Sequence, residues 1–147
     1  MDEYEPLKLK YQLCFPLYAA SKAVVRLYQP FLSPLELTYT QYIVLLSLYE
    51  HDGVTVKELG NYVCLDSGTL SPLLLKLIKR KLVSKKAAGT DRREKRIFLT
   101  QNGLELREQL KTIPSKVANC VNLNLEEATL LKTLCEKIIG DQCNNGN

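Results

Sequence analysis

Apolar residues recur at helical spacing along most of this chain, and the breaks in that spacing mark its turns. Residues 10–29 place Leu13, Leu17, Tyr18, Ser21, Val24, Val25 and Tyr28 on roughly one face, which predicts a first helix ended by Pro30 and Pro34. Thr38 with Gln41 three residues later is a capping-box signature, opening a second helix through Ile43, Leu46, Leu48 and Tyr49 that Gly53 closes. Thr55 with Glu58 repeats the signature for a short third helix ending near Val63. Asp66 or Ser67 caps a fourth, whose Leu70, Leu73, Leu74, Leu77 and Ile78 fall at i, i+3, i+4, i+7 and i+8. That stripe must face a core, leaving Ser67, Ser71, Lys76 and Lys79 nearer the outside.

Residues 82–87 and 95–100 read as two strands joined by a tip containing Gly89. After Gly103, one helix is expected over 104–119 and another from Asn124, with Glu127 at its third position, through Leu131, Leu134 and Ile138. No repeat, low-complexity tract or linker interrupts the sequence. The expected fold is one mainly α domain over 1–147 with a small β-wing: a winged helix-turn-helix over about 37–102, flanked by helices over about 8–30 and 103–140. The flanking helices are apolar on more than one side. A winged-helix core does not need them, so they are read as dimerisation helices.

With 147 residues, 46% hydrophobic and 24% charged, the chain has ordinary globular composition and enough length to bury a core without staples. No apolar run is long enough to span a bilayer, and the acidic opening Asp2, Glu3, Glu5 is unlike a signal peptide, so a cytoplasmic protein with no membrane partner is expected. Five cysteines, Cys14, Cys64, Cys120, Cys135 and Cys143, show no C-x-x-C spacing, arguing against a disulfide framework or a zinc ribbon. In a reducing compartment they are thiols, and the plain reading of Cys64, Cys135 and Cys143 is small buried hydrophobes or incidental thiols. His51 is the one histidine and is assigned no metal. No cofactor is expected.

Charge is far from uniform. Residues 76–96 carry ten Lys/Arg against two Asp/Glu, a net of +8, while the whole chain is only +4. That concentration is the footprint of a phosphate-binding surface. A helix presented by a helix-turn-helix fits the major groove with its N-terminal residues at base edges, here Ser67, Gly68, Thr69 and Ser71, all short enough for close approach. Lys76 and Arg80 follow on the same helix. At the hairpin tip Arg92 and Arg93, with Lys95 behind them, can enter a minor groove or neutralise phosphate, and Asp91 is placed to brace Arg93. Double-stranded DNA is the expected partner.

The segment Asp66-Ser67-Gly68-Thr69-Leu70-Ser71-Pro72-Leu73-Leu74, the wing Asp91-x-Arg93 with Leu99-Thr100 and Gly103, and Gln12-Leu13-Cys14-Phe15-x-Leu17-Tyr18 resemble the MarR family of winged-helix regulators. Within it they look like the organic hydroperoxide resistance repressors. The resemblance spans nearly all of residues 7–140. It implies a homodimer that represses transcription from a palindromic operator and is released when a thiol is oxidised. Two departures stand out: Leu75 replaces a usually basic residue, and Lys81 replaces a usual glycine after the recognition helix, at a cost of about 1 kcal/mol if left-handed.

Pro16 cannot sit deep in a helix, so either the first helix begins just before it or is kinked there. The former puts Cys14 in an opening turn, where free backbone N–H groups favour the thiolate that attacks peroxide. The resemblance implies that Tyr28 and Tyr39 reach that sulfur from the partner subunit; Tyr18 lies one helical turn from it. The resemblance also matches Cys120 to a resolving cysteine, joined to Cys14 across subunits, with pairing to a small thiol as the other scheme. Two alternatives stand beside this reading. One is a MarR-type repressor answering a small aromatic ligand held between the dimer helices and the winged domain. The other is a thiol peroxidase, weakened by the lack of any catalytic set around Cys14, so that no enzyme is expected.

Overall fold

Three capping boxes set where helices begin. In each, the cap side chain accepts from the third helical N–H while that residue's side chain accepts from the cap N–H: Thr38 with Gln41, Thr55 with Glu58, and Asn124 with Glu127. The structure, a computed structural model, describes residues 2–140. The elements run α1 (Cys14–Leu32), α2 (Tyr39–Glu50), β1 (Val54–Thr55), α3 (Val56–Val63), α4 (Ser67–Lys79), β2 (Val83–Ala87), β3 (Lys95–Leu99), α5 (Gln101–Leu110), α6 (Ile113–Ala118) and α7 (Leu125–Ile139), with short 3-10 turns before and after α1. This is the mainly helical winged-helix fold the sequence implies.

The sheet is antiparallel in the order β1-β3-β2, with Val54 opposite Ile97 and Val83 opposite Leu99. Sequence reading missed β1, since two residues carry no period. Ile97 at the centre is fully buried and joins the sheet to a core of Leu45, Leu48, Leu59, Leu70, Leu74 and Leu77. Each such leucine contributes about 1.5–3 kcal/mol by leaving water. The core therefore sits under α2, α3, α4 and the base of the wing.

Several helix boundaries differ from expectation: α1 starts at Cys14 rather than at residue 10, Leu9–Tyr11 forming a separate 3-10 turn, and α5 starts at Gln101, capped by Thr100, rather than at Leu104. Pro30 lies inside α1, which continues to Leu32. Pro30 removes one helical hydrogen bond, but the Ser33 N–H still reaches Gln29 O, and Leu32, only 1% exposed, draws the last turn onto the core. The helix expected over 104–119 is divided into α5 and α6, because Pro114 lacks the N–H that would continue the ladder and instead occupies the opening of a new helix. Pro16, by contrast, is the third residue of α1, where N–H groups have no helical partner, so α1 starts just before it without a kink.

The ends of the chain differ from its middle. α7 buries no residue, and Leu130, Leu131, Leu134, Ile138 and Ile139 are exposed along it. Leu7, Leu9, Leu13, Phe15 and Tyr18 are exposed around the start of α1. Among the described residues no helix is long and apolar enough to cross a membrane.

Candidate nucleic-acid interface and sensor site

The turn into α4 is fixed by close packing. Cys64 closes α3 in the left-handed conformation, and the Leu65 N–H returns to Gly60 O at 3.1 Å. A Cβ on Gly60 would stand 2.6 Å from Leu65 O, so only glycine lets the turn close. Asp66, not Ser67, caps α4: its Oδ1 accepts the Thr69 N–H at 2.7 Å. That bond, then the Thr69 hydroxyl and the Gly68 N–H, hold the Asp66 carboxyl below the usual carboxylate range.

With Leu70, Leu73, Leu74 and Leu77 buried, α4 turns Ser67, Gly68, Thr69, Ser71 and Lys76 to solvent, as the sequence implied. Leu75 and Lys79 share that surface. Pro72, expected near the opening turn, is the sixth residue of α4 and lies inside the helix, so it removes one intrahelical donor, a loss that the buried leucine stripe outweighs. The helix ends as expected at Lys81, whose φ is +59°: the Lys81 N–H bonds Ile78 O at 2.9 Å and the Leu82 N–H bonds Leu77 O at 3.0 Å.

Arg80 differs from expectation. Its guanidinium donates to Glu36 O at 2.6 Å and Leu35 O at 2.9 Å, in the corner between α1 and α2. Left-handed Glu36 (φ +54°) turns the corner there, and those two carbonyls engage a cation that sequence spacing had offered to phosphate. Arg80 is a tie between elements rather than an available DNA contact.

The wing tip spans residues 88–94. Arg93 donates from its backbone N–H to Asp91 Oδ1 at 2.9 Å and from Nε at 3.3 Å, so the anticipated brace is formed. Arg96 is held lower down by Glu94 at 2.9 Å and by Gly53 O at 3.1 Å. Arg92 and Lys95 are exposed with no ion pair among the described residues. The wing root is locked by Gly103: a Cβ there would meet Leu82 O at 2.2 Å, while Gly103 O accepts the Tyr49 hydroxyl at 2.8 Å.

Cys14 is the first residue of α1 and is exposed, beside exposed Leu13 and Phe15. Cys120 follows α6, exposed, its thiol donating to Lys116 O at 3.3 Å. Cys135, half-buried on α7, is the third free thiol among the described residues. Cys64 corrects the reading of it as a buried or incidental thiol: it is disulfide-bonded and exposed at the outward-turned end of α3. Cys143 lies outside the described residues.

Tyr28 and Tyr39 are brought together, ring centroids 5.1 Å apart. Sequence reading missed the third member, Tyr42, 5.4 Å from Tyr28 and one turn beyond Tyr39; its i+3 spacing was the available signal. Burial pushes all three phenols up, Tyr42 to about 12, so they remain O–H donors at neutral pH. Tyr18 stands apart from this cluster, exposed under the Lys22 ammonium. His51 stacks on Tyr62 at 4.3 Å, beside a cavity of about 330 Å³ between α2 and α3. No cluster of metal-ligating side chains occurs among the described residues.

Comparison with known proteins agrees with this arrangement. The MarR family signature matches residues 37–95. The organic hydroperoxide resistance transcriptional regulator of Bacillus subtilis (strain 168) is 38% identical over 144 residues, covering 92% of this chain and 98% of that one. The solved structure of reduced AbfR bound to DNA is 30% identical with a TM-score of 0.76, covering 94% of each chain. Overoxidised AbfR bound to DNA is also 30% identical, with a TM-score of 0.72 over 91% of this chain and 95% of that one; AbfR has also been solved from Staphylococcus epidermidis. The chain belongs to the MarR family of DNA-binding transcriptional regulators, and is not an enzyme.

Proposed function

We propose that this chain is a cytoplasmic homodimeric repressor of a palindromic operator, releasing DNA when organic hydroperoxide oxidises Cys14. The observation that carries the reading is the position of Cys14: a free, exposed sulfur at the opening turn of α1, set among Leu13, Phe15 and Tyr18. Exposed apolar residues of that size fit a second copy better than water. The faces of α1 and α7 form the dimer contact, and the winged helix of each subunit takes one half-site.

In this scheme the thiolate of Cys14 attacks the peroxide oxygen, giving a sulfenic acid and an alcohol. The thiol of Cys120 in the partner subunit displaces water from that sulfenic acid, forming an intersubunit disulfide. Tyr28 and Tyr39 supply hydroxyl donors that reach the sulfur from the partner subunit and rearrange once it is oxidised. AbfR in an overoxidised form is bound to DNA, which supports assigning release here to the cross-link rather than to oxygen on sulfur. Ser67, Gly68, Thr69, Ser71 and Lys76 meet the major groove, and Arg92, Arg93 and Lys95 the minor groove and phosphates.

The test is operator binding by reduced protein, before and after cumene hydroperoxide, with non-reducing electrophoresis of the same samples. Wild type should lose DNA and run as a covalent dimer, both reversed by dithiothreitol. Cys120→Ser should lose the covalent dimer. Release of Cys14→Ser by the oxidant would overturn the assignment.

A further inference from the structure

We propose that Leu75 reads a thymine methyl group in the major groove and so sets sequence preference at one position of each half-site. This rests on the DNA-reading role of α4. Successive residues of an α-helix advance by about 100°. With Leu70, Leu73, Leu74 and Leu77 forming the buried stripe, the opposite pole of α4 is built from Gly68, Pro72, Leu75 and Lys79, with Ser71 and Lys76 flanking it on either side. Leu75 is therefore at the centre of the outward surface, 63% exposed.

Nothing within the chain explains an apolar side chain there. Its neighbours one turn away are Ser71 and Lys79, and Lys76 stands beside it, all exposed. Exposed Pro72 is the one apolar neighbour on that side. A proline and a leucine within a basic surround make a patch far smaller than the roughly 800 Å² per partner that a stable protein interface buries. The surrounding lysines instead favour an anionic surface, with the leucine meeting something apolar inside it.

Duplex DNA offers that combination. Base edges in the major groove present hydrogen-bond donors and acceptors plus a single apolar group, the C5-methyl of thymine. Leucine has no hydrogen-bonding group and cannot read the others. Gly68 on the same pole and Ser71 beside it are small enough to let α4 approach, and the Cβ that would be added at Gly68 meets only the Asp66 carboxylate, at 3.4 Å. Lys76 then lies to one side of that pole and Lys79 lies on it one turn beyond Leu75, both able to reach the phosphates that flank the groove. Where the resemblance leads one to expect a basic residue, this chain exchanges a charge contact for a methyl contact.

The experiment begins by enriching a binding sequence from a randomised duplex pool with full-length reduced protein. Each thymine of the enriched half-site is then replaced singly by deoxyuridine, which removes only the methyl. Wild type should lose about fourfold in affinity at one thymine, the value of one buried methyl. Leu75→Ala should bind the thymine and uracil duplexes equally. Leu75→Lys should also lose the distinction while steepening the dependence of affinity on salt by about one counterion. Because Leu75 is exposed, all three proteins should melt together, and a merely structural role would not move the thymine-to-uracil ratio. Equal uracil sensitivity in wild type and Leu75→Ala, or none in either, overturns the proposal while leaving the DNA-reading role intact. Failure to enrich any duplex overturns that role and this inference with it.

Discussion

The middle of this molecule and its two ends use the same kinds of residue to opposite effect. From α2 to α5, leucines disappear into a core that closes within one chain: Leu45, Leu48, Leu59, Leu70 and Leu77 are completely buried. In α7, residues of the same type at the same helical spacing bury nothing, and around the start of α1 they lie in the open. A hydrophobic stripe thus predicts that a face will be covered, but not whether the cover comes from the same chain. The winged-helix core is covered within the chain, whereas the apolar residues of α7 and the start of α1 have no cover among the described residues.

That contrast is broken most severely by damage to the closed region. Gly103→Ala should cause the largest loss, roughly 4 kcal/mol or more, since its Cβ would stand 2.2 Å from the Leu82 carbonyl where backbone meets backbone. Urea denaturation should show the variant unfolded or nearly so; a fold that survives with native cooperativity would mean that the wing root is free to shift.

Damage to the open region should behave differently. Replacing Leu131 and Leu134 by serine removes residues 44% and 48% exposed, so the isolated subunit should change by less than about 1 kcal/mol. The proposed dimer should dissociate about a hundredfold more readily or worse, because four apolar side chains are lost across two copies. Sedimentation over a dilution series would read this, and unchanged dimer affinity would place the subunit contact elsewhere.

Arg80 connects the two regions. Its bonds to the Leu35 and Glu36 carbonyls join the end of α4 to the corner between α1 and α2, three residues before Tyr39. Arg80→Met should cost about 1–2 kcal/mol in thermal stability, with partial exposure limiting the value of the two bonds. The slope of operator affinity against salt should stay as in wild type. A slope reduced by about one would instead mean that the guanidinium leaves the corner to grip phosphate.

How much of this could be read from sequence follows from the range of each interaction. Caps and stripes are local, so Thr38, Thr55 and Asn124 announced their helices and Leu70 to Ile78 announced the buried face of α4. The left-handed Lys81 and the Asp91–Arg93 brace were also legible, being fixed within a few residues. Arg80 was not, because its partners lie 44 and 45 positions away and spacing along α4 only showed a cation near a basic surface. Pro30 misled for the same reason: its local cost is outweighed by Leu32 packing on distant residues. The pairing of Tyr28, Tyr39 and Tyr42 crosses the α1–α2 corner, and only the Tyr39–Tyr42 step had a sequence signature. The exposed ends were legible in outline, since apolar residues on several sides of α7 already exceeded what one core could take.

The smallest expected effect is at the cap of α4, where Asp66 is fully exposed yet still holds the opening turn. Its carboxyl titrates below its unfolded value because the folded chain offers the carboxylate the Thr69 N–H, which the unfolded chain does not. A lowered pKa means the charged form is favoured by folding, so this contribution is complete above about pH 4 and is lost as pH falls through the depressed folded value. Asp66→Asn keeps an oxygen that can accept from Thr69 but cannot titrate in this range, and asparagine is as good a helix cap as aspartate. The variant should therefore melt close to wild type at pH 7 and lose less stability than wild type on acidification below pH 4, read by circular dichroism melts across that interval. Operator affinity at pH 7 should rise slightly if α4 meets DNA as proposed, since one negative charge leaves that face, and should do so less at high salt. An acid limb identical to wild type would mean that the cap bond does not distinguish the folded from the unfolded chain, and that α4 is held in place by its leucines alone.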